Sequence, residues 1–156
     1  MLKLKQLTDL LTAQRLTVAV AESCTGGALC SLLTSQSGSS VYFDRGFITY
    51  SNQAKIDMLG VLKNTLEEFG AVSEQTAGQM ASGVINQAKT GVSVSITGIA
   101  GPQGGSQEKP VGMVCFGFCI LGACFTSTQN FAGNRQDVVT ASIDFVLTTL
   151  IDELSS

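Results

Sequence analysis

Apolar residues recur with helical spacing near both ends of the chain. Near the amino end, leucines at positions 2, 4, 7, 10 and 11 form a stripe that predicts a helix over residues 2–14. Asn134 is a favourable N-cap residue, and the apolar positions that follow it predict a long final helix. These positions are Val138, Val139, Ile143, Val146, Leu147, Leu150, Ile151 and Leu154.

Between these two helices, short runs of β-branched, aromatic and apolar residues predict strands. The predicted strands cover residues 17–21, 41–50, 92–97, 111–120 and 123–130. In the third strand, valine and isoleucine alternate with serine, which is the period of a strand. Only Leu121 and Gly122 separate the last two strands, and this spacing predicts a two-residue β-hairpin.

Glycine and serine residues predict where the remaining helices begin and end. Further helices are predicted from Gly27 to about residue 36, over 52–58, over 62–69 and over 74–88. Ser51 and Ser73 are the predicted N-caps of the second and fourth of these, and Gly60 ends the second. Residues 98–110 hold both prolines of the chain and four glycines, and they form the longest predicted loop.

The order of predicted elements is α β α β α α α β β β α. The early strands are joined through helices, which favours parallel pairing, and the late hairpin adds an antiparallel strand. The sequence therefore predicts an α/β fold, a three-layer α/β/α sandwich with a mixed, mostly parallel sheet of about five strands. We expect one domain over residues 1–156.

Composition and charge exclude several classes of protein. Hydrophobic residues make up 44% of the chain and charged residues only 13%, which excludes disorder and favours a buried sheet or a homo-oligomer. No apolar run is long enough to span a membrane, and the amino end lacks the pattern of a signal peptide. The net charge is −3 and no Lys/Arg cluster occurs, so we expect no nucleic-acid partner.

Cysteine and histidine counts narrow the possible chemistry. The five cysteines form no Cys-x-x-Cys pair, so we expect buried, reduced thiols and a cytoplasmic location. Histidine is absent, which removes Ser-His-Asp and Cys-His catalysis and histidine-rich zinc sites. We expect no metal and no cofactor, and a hydrolytic nucleophile would need another base, for which lysine is the usual choice.

The turn after the first strand carries three candidate reactive groups, Ser23, Cys24 and Thr25. It lies between the carboxyl end of a predicted strand and the amino end of a predicted helix, where open α/β sheets bind ligands. Ser23 is the first candidate nucleophile, although either Ser23 or Thr25 can instead be the N-cap of the following helix. Cys24 is a rival nucleophile that would need an activator other than histidine.

Lys55 is the candidate base, because it lies in the helix after the second strand. If the first two strands are parallel, this helix begins at the same edge of the sheet as the Ser23 turn. A solvated surface lysine is the alternative. To act as a base, Lys55 must be neutral, through burial or through a cation such as Arg45 or Arg135. Tyr50 is placed to position Lys55 or to donate to a substrate.

The glycine-rich segment 98–105 is the third candidate element of a site. It lacks the spacing of a Walker A loop and of a dinucleotide fingerprint, but its glycines allow backbone N–H groups to approach an anion closely. Lys109 and Arg135 are the candidate countercharges for a phosphate. A flexible surface loop is the alternative interpretation of this segment.

Four ordered motifs, taken together, resemble the CinA carboxyl-terminal domain, which is the nicotinamide-nucleotide amidase (PncC-type) family. They are Ala21-Glu-Ser-Cys-Thr-Gly-Gly27, Phe43-Asp-Arg-Gly-Phe-Ile-Thr-Tyr-Ser-Asn-Gln-Ala-Lys55, Gly70-Ala-Val-Ser73 and the stretch from Thr97 to Gly112. The resemblance covers nearly the whole chain. It implies a three-layer α/β/α fold and hydrolysis of nicotinamide mononucleotide to nicotinate mononucleotide and ammonia.

The resemblance also implies roles for particular residues. Ser23 corresponds to the nucleophile and Lys55 to its base, with Tyr50 as a third catalytic residue. Of the pocket residues, the resemblance implies Thr97 and Arg135. Together with the turn and the glycine-rich segment argued above, the expected substrate-binding residues are Thr25, Gly26, Gly27, Thr97, Gly98, Ala100, Gly101, Lys109 and Arg135. The alternative function is a non-catalytic nucleotide-binding accessory module, which would need neither Ser23 nor Lys55.

Overall fold

The computed structural model describes all residues from 1 to 156. The strands are β1 Val18–Glu22, β2 Phe43–Ile48, β3 Val92–Gly98, β4 Met113–Ile120 and β5 Ala123–Asn130. The helices are α1 Leu2–Ala13, α2 Ala28–Leu33, α3 Asn52–Leu59, α4 Lys63–Phe69, α5 Glu74–Ala88 and α6 Arg135–Ser155, with a short 3₁₀ turn at Ser39–Val41. None of the helices is both long and apolar enough to cross a membrane.

The five strands form one mixed sheet in the order β2-β1-β3-β4-β5. Strand β1 pairs in parallel with both β2 and β3, whereas β4 is antiparallel to its neighbours β3 and β5. Four of the five strands therefore run in one direction, as the sequence predicted. The carboxyl ends of β1, β2 and β3 lie at the same edge of the sheet, so the segments that follow these strands meet there.

Helices cover both faces of the sheet, which confirms the three-layer prediction. On one face, α1, α2 and α6 bury their leucines and valines against β1, β3 and β4 in the larger apolar cluster. On the other face, α3, α4 and α5 form a smaller cluster with Ala19 and Ala21 of β1. The serines of β3 face α5, where Ser93 and Ser95 donate hydrogen bonds to the carbonyls of Ala81 and Ala77.

The predicted N-caps are confirmed. Ser51 Oγ accepts a hydrogen bond from the N–H of Ala54, Ser73 Oγ does so from Thr76, and Asn134 forms a capping box with Asp137. The end of α2 differs from the prediction, since the helix stops at Leu33 instead of about residue 36. The hydroxyls beyond that point donate to the carbonyls of the last turn and so compete with further helical bonding.

The expectation that all five thiols are reduced is wrong for one pair. Cys119 and Cys124 form a disulfide across the β4–β5 hairpin, and Cys24, Cys30 and Cys115 are free. The two bonded residues are directly opposite each other in the strand register, with their Cα atoms 4.1 Å apart. A cross-strand pair of this kind depends on the register, which a search for Cys-x-x-Cys spacing does not test.

Candidate active site

A cleft of about 260 Å³ lies at the edge of the sheet where β1, β2 and β3 end. Its walls come from the turn after β1, the start of α3, the segment before α5, the glycine-rich segment after β3 and the start of α6. The lining residues are Ser23, Cys24, Tyr50, Asn52, Lys55, Ala71, Val72, Thr97, Gly98, Ile99, Ala100, Gly101, Gln103, Gly104 and Arg135. The segments that follow β1, β2 and β3 were predicted to meet at one edge of the sheet, and they line this cleft.

Ser23 is fixed at the base of this cleft. Its backbone N–H donates to the carbonyl of Ile96 at 2.9 Å, which extends the β1–β3 pairing by one residue. The side chain is only 7% exposed, and its Oγ lies 3.1 Å from Nζ of Lys55. This is hydrogen-bond distance, so the hydroxyl proton of Ser23 has a direct path to the amine.

Lys55 is almost completely buried, with 1% of its surface exposed. Besides Ser23 Oγ, its Nζ contacts the carbonyl oxygens of Thr49 at 2.9 Å, Tyr50 at 3.4 Å and Ser51 at 3.5 Å. None of the four ion pairs in the structure includes Lys55. Burial therefore lowers the pKa of this amine, and no carboxylate partner offsets the effect.

The sequence offered two ways to lower the pKa of Lys55, burial and a neighbouring cation, and burial is the one that the structure supports. Arg45, one of the proposed neighbouring cations, forms an ion pair with Asp44 on the exposed edge strand β2. Desolvation is what favours the neutral amine of Lys55. A neutral amine keeps two N–H donors for the surrounding carbonyls and one lone pair, which is directed at Ser23 when the carbonyls take the donors.

Cys24 has the properties of a protonated thiol. Burial raises the pKa of this thiol to about 11, despite the opposing effects of its own backbone N–H and of the Arg135 charge. A thiol must ionise to act as a nucleophile, and this one stays protonated near neutral pH. The geometry and the pKa together favour Ser23 over its neighbour.

Some backbone N–H groups of the turn after Ser23 are used in hydrogen bonds within the turn, and others have no backbone acceptor. The N–H of Gly26 donates to Ser23 O, and that of Ala28 donates to Thr25 O, so both are used within the turn. The N–H groups of Cys24, Thr25 and Gly27 have no acceptor among the backbone hydrogen bonds of the turns and loops. The predicted substrate-binding residues Thr25, Gly26 and Gly27 do not line the cleft, whereas their neighbours Ser23 and Cys24 do.

Neither of the two candidate caps, Ser23 or Thr25, caps helix α2. The N-cap position is Gly27, with φ of 107° and no side-chain hydrogen bond, and the hydroxyl of Thr25 is buried without a partner. The carboxylate of Glu22 performs the capping instead, accepting hydrogen bonds from the N–H groups of Leu29 and Cys30. The sequence signal was a lone acidic residue that ends an otherwise apolar strand.

Arg135 connects two walls of the cleft. Its guanidinium donates to the carbonyl of Gly101 at 2.8 Å and to the hydroxyl of Tyr50 at 3.1 Å. Gly101 has φ of +85°, and a Cβ there would lie 2.4 Å from Val111, so this close turn requires glycine. A guanidinium has five N–H donors, so three remain for a ligand anion.

Tyr50 contributes to the site through two different groups. Its backbone carbonyl lies 3.4 Å from Lys55 Nζ and 3.5 Å from Ser23 Oγ. Its side chain is 61% exposed and reaches Arg135 instead of the serine–lysine pair. The predicted catalytic tyrosine is therefore present in the cleft, with its hydroxyl at the mouth.

Lys109 is not brought into the cleft. Its Nζ donates to the carbonyl of Phe69 at the end of α4. This hydrogen bond joins the end of the 98–110 loop to the turn at residues 70–72. Thr97, also predicted, does line the cleft and donates to the carbonyl of Ala71 in that same turn. Three further lining residues, Asn52, Ala71 and Val72, were not predicted from the sequence, because only the tertiary packing brings them to the cleft.

These features define an α/β protein with a buried serine–lysine pair in a cleft at the carboxyl ends of parallel strands. The chain belongs to the CinA C-terminal domain family, whose sequence pattern matches residues 3–154. The resemblance seen in the four sequence motifs is therefore confirmed.

Two stand-alone relatives carry the name nicotinamide-nucleotide amidohydrolase PncC. The protein of Enterobacter agglomerans is 52% identical over 137 residues, which cover 87% of this chain and 84% of that protein. The protein of Escherichia coli K12 is 46% identical over 147 residues, covering 94% of this chain and 89% of that protein. A putative competence-damage inducible protein of Clostridium perfringens is 50% identical, but the match spans only 35% of that longer chain.

Solved structures agree with the fold. A competence or damage-inducible protein of Enterobacter asburiae superimposes with a TM-score of 0.94 at 40% identity, covering 97% of this chain and 96% of that one. The competence/damage inducible protein CihA of Agrobacterium tumefaciens gives a TM-score of 0.92 at 44% identity, covering 99% and 94%. The fold is therefore shared over nearly the whole length of these chains.

Proposed function

We propose that this protein is an amidohydrolase that converts nicotinamide mononucleotide to nicotinate mononucleotide and ammonia. The observation that carries the proposal is the 3.1 Å contact between Ser23 Oγ and a buried Lys55 Nζ inside the cleft. Relatives named nicotinamide-nucleotide amidohydrolase, at about half identity over most of the chain, support the substrate.

The first half of the reaction forms a covalent intermediate. Neutral Lys55 takes the proton of Ser23 as Oγ attacks the carboxamide carbon of the substrate. We assign the stabilisation of the negative charge that develops on the carboxamide oxygen to the N–H of Cys24, a residue that lines the cleft and whose N–H has no backbone acceptor. The C–N bond then breaks, and ammonia leaves with the proton that Lys55 had taken.

The second half returns the enzyme to its starting state. Lys55 removes a proton from a water molecule, which attacks the acyl carbon and breaks the bond to Ser23 Oγ. The serine recovers its proton from Lys55, and the product carboxylate leaves. Each step needs one group that accepts and returns a proton, and the pKa of Lys55, lowered by burial, suits that role.

The charges of the cleft favour an anionic substrate. Lys55 and Arg135 are the only basic residues that line it, and no carboxylate does. With Lys55 neutral, the guanidinium of Arg135 carries the positive charge of the cleft. We propose that Arg135 binds the 5′-phosphate, together with backbone N–H groups of the 98–105 segment, since a guanidinium pairs well with phosphate oxygens. The predicted contact with Lys109 is left out, because its amine binds Phe69 outside the cleft.

Ammonia release from nicotinamide mononucleotide tests the activity. The purified protein should release one ammonia per nicotinate mononucleotide formed, with lower kcat/KM for the riboside, which lacks the phosphate. The alternative is a non-catalytic nucleotide-binding module, which predicts calorimetric binding of nicotinamide mononucleotide and no ammonia. That outcome would replace the amidase proposal.

Removing the Arg135 guanidinium should weaken substrate binding more than chemistry. Arg135→Ala is expected to raise KM for nicotinamide mononucleotide about 10- to 100-fold, since a hydrogen bond to a charged group contributes roughly 1.5–3 kcal/mol. Tyr50→Phe is the matched control, because it removes the hydroxyl partner of Arg135 but keeps the charge. Steady-state kinetics of the two variants are measured with the mononucleotide and with the riboside. If Arg135→Ala lowers kcat/KM equally for the two substrates, Arg135 does not contact the phosphate.

Homo-oligomerisation and a cytoplasmic location stay predictions from the sequence. The apolar fraction of 44% is the basis of the first. Light scattering coupled to size exclusion measures the mass in solution, and a value near 16.2 kDa would contradict it.

A further inference from the structure

Glu22 is a buried carboxylate next to the proposed nucleophile. Of the twelve acidic residues, it alone is buried, with no exposed surface. Its two oxygens accept hydrogen bonds from the N–H groups of Leu29 at 3.0 Å and Cys30 at 2.9 Å. A buried carboxylate is costly unless it is fully hydrogen-bonded, so a specific arrangement holds this one.

These two N–H groups belong to the first turn of α2. That helix has only six residues, and its N-cap glycine offers no side chain. Such a short helix is marginal without tertiary support, and its first N–H groups need acceptors. Glu22 supplies them from the end of β1, five residues before the N-cap, and so spans the whole Ser23–Gly27 turn.

The backbone of Glu22 also connects the nucleophile to its base. Its carbonyl oxygen accepts a hydrogen bond from the N–H of Thr49 at 2.9 Å. The carbonyl of Thr49 in turn accepts from Lys55 Nζ, also at 2.9 Å. One residue therefore holds both the turn that carries Ser23 and the strand end that positions Lys55.

We propose that Glu22 is a positioning residue for the Ser23–Lys55 pair, whose carboxylate holds the turn so that Ser23 Oγ stays within proton-transfer distance of Lys55. This inference rests on the proposed function of that pair. Glu22 does not line the cleft and forms no ion pair with Lys55, so it acts through the turn and not on the substrate. It also occupies the α2 N–H groups that would otherwise bind an anion.

Glu22→Gln is the sharpest variant, because it keeps the size of the side chain. One amide oxygen still accepts an N–H, but the amide NH₂ then faces the second N–H as donor against donor. We expect kcat to fall about 10- to 100-fold, since a displacement of about 1 Å has an effect of that size, while KM changes less than about threefold. The midpoint of the pH–rate profile should not move, because Lys55 keeps its burial.

Glu74→Gln is the matched control. Glu74, in the first turn of α5, also accepts two hydrogen bonds with its carboxylate, from the hydroxyls of Thr126 and Thr128, both at 2.6 Å. It lies outside the cleft, so its variant should keep the wild-type kcat. All rates are measured well below the melting transition of each variant, so a loss of stability alone does not lower kcat.

Labelling with a fluorophosphonate gives a readout that does not depend on the nucleotide. Ser23 Oγ forms a bond to phosphorus, fluoride leaves, and Lys55 takes the proton. We expect Glu22→Gln to slow labelling as much as it slows kcat. If wild type labels at Ser23 but releases no ammonia, the amidase proposal fails and the labelling rates still test Glu22.

The inference about Glu22 requires that Ser23 reacts more slowly without the Glu22 carboxylate. Wild-type rates of turnover and labelling in folded Glu22→Gln would overturn it, and so would a shifted pH midpoint, which would assign Glu22 an electrostatic role. Absence of labelling in wild type would remove its premise. If Glu22→Gln does not fold, Glu22→Asp makes the same comparison, because the shorter carboxylate cannot reach both N–H groups.

Discussion

Ser23→Ala is expected to reduce kcat for nicotinamide mononucleotide by at least about 10³-fold, which is the scale at which serine hydrolases lose activity without their nucleophile. Alanine removes the proposed attacking atom, Ser23 Oγ, whereas Lys55 keeps its three carbonyl contacts. Ammonia release under substrate saturation measures kcat. A melting curve close to that of wild type excludes unfolding as the cause.

The neighbouring thiol provides the discriminating comparison. Cys24→Ala should retain turnover within about tenfold, since the half-buried thiol has a pKa of about 11 and stays protonated near neutral pH. Mass spectrometry after fluorophosphonate labelling should place the adduct on Ser23. Loss of activity in Cys24→Ala with retention in Ser23→Ala would reverse the assignment and identify the thiol as the nucleophile.

Most of the fold followed from local signals in the sequence. The predicted N-caps are residues whose side chain can accept an N–H, each followed by apolar residues at helical spacing. Both signals lie within a few residues of Ser51, Ser73 and Asn134. The Cys119–Cys124 disulfide was not predicted, because it depends on the register of two paired strands. The early end of α2 was missed for a different reason, since the apolar spacing does not report the hydrogen bonds that the Thr34 and Ser35 hydroxyls donate to carbonyls of the last turn. Local patterns predict elements well and their mutual contacts poorly.

The site was predictable to the extent that it depends on topology. Parallel strands place their carboxyl ends at one edge, so Ser23 and Lys55 were expected together from the strand order and the absence of histidine. Glu22 was missed because an acidic residue at a strand end has no local capping spacing. Lys109 was predicted as a phosphate ligand from charge alone, and charge does not show which way a side chain turns.

The location of the anion-binding groups is a consequence of the Glu22 cap. A helix start after a glycine pair is normally a phosphate site, but here an internal carboxylate occupies the Leu29 and Cys30 N–H groups. The turn can still stabilise an oxyanion through the N–H of Cys24, next to Ser23. The phosphate of a substrate would then bind elsewhere, which agrees with the proposed contact to Arg135 at the start of α6.

Lys55→Met is expected to lower kcat by about 10²- to 10⁴-fold, which is the usual contribution of a general base. Methionine matches the length and burial of the lysine stem but cannot accept a proton. KM should change little, because the proposed phosphate contact is on Arg135. Wild-type kcat in this variant would contradict the proposed mechanism.

The pH dependence gives Lys55 a signature that a structural role does not share. Activity should rise with pH as the amine loses its proton, with a midpoint below the ordinary lysine pKa of 10.5 because burial lowers it. Lys55→Met should remove this limb from the residual activity. A profile limb that survives in Lys55→Met would assign the titration to another group.

The same shift predicts how stability varies with pH. Between the lowered pKa of folded Lys55 and the unfolded value near 10.5, the unfolded chain binds a proton that the folded protein does not. The free energy of unfolding should therefore rise with pH through that window, reach its full value above 10.5 and fall as the pH drops through the folded pKa. Denaturant unfolding of wild type against Lys55→Met isolates this slope. Equal slopes in the two proteins would mean that Lys55 remains charged in the fold and is not the base.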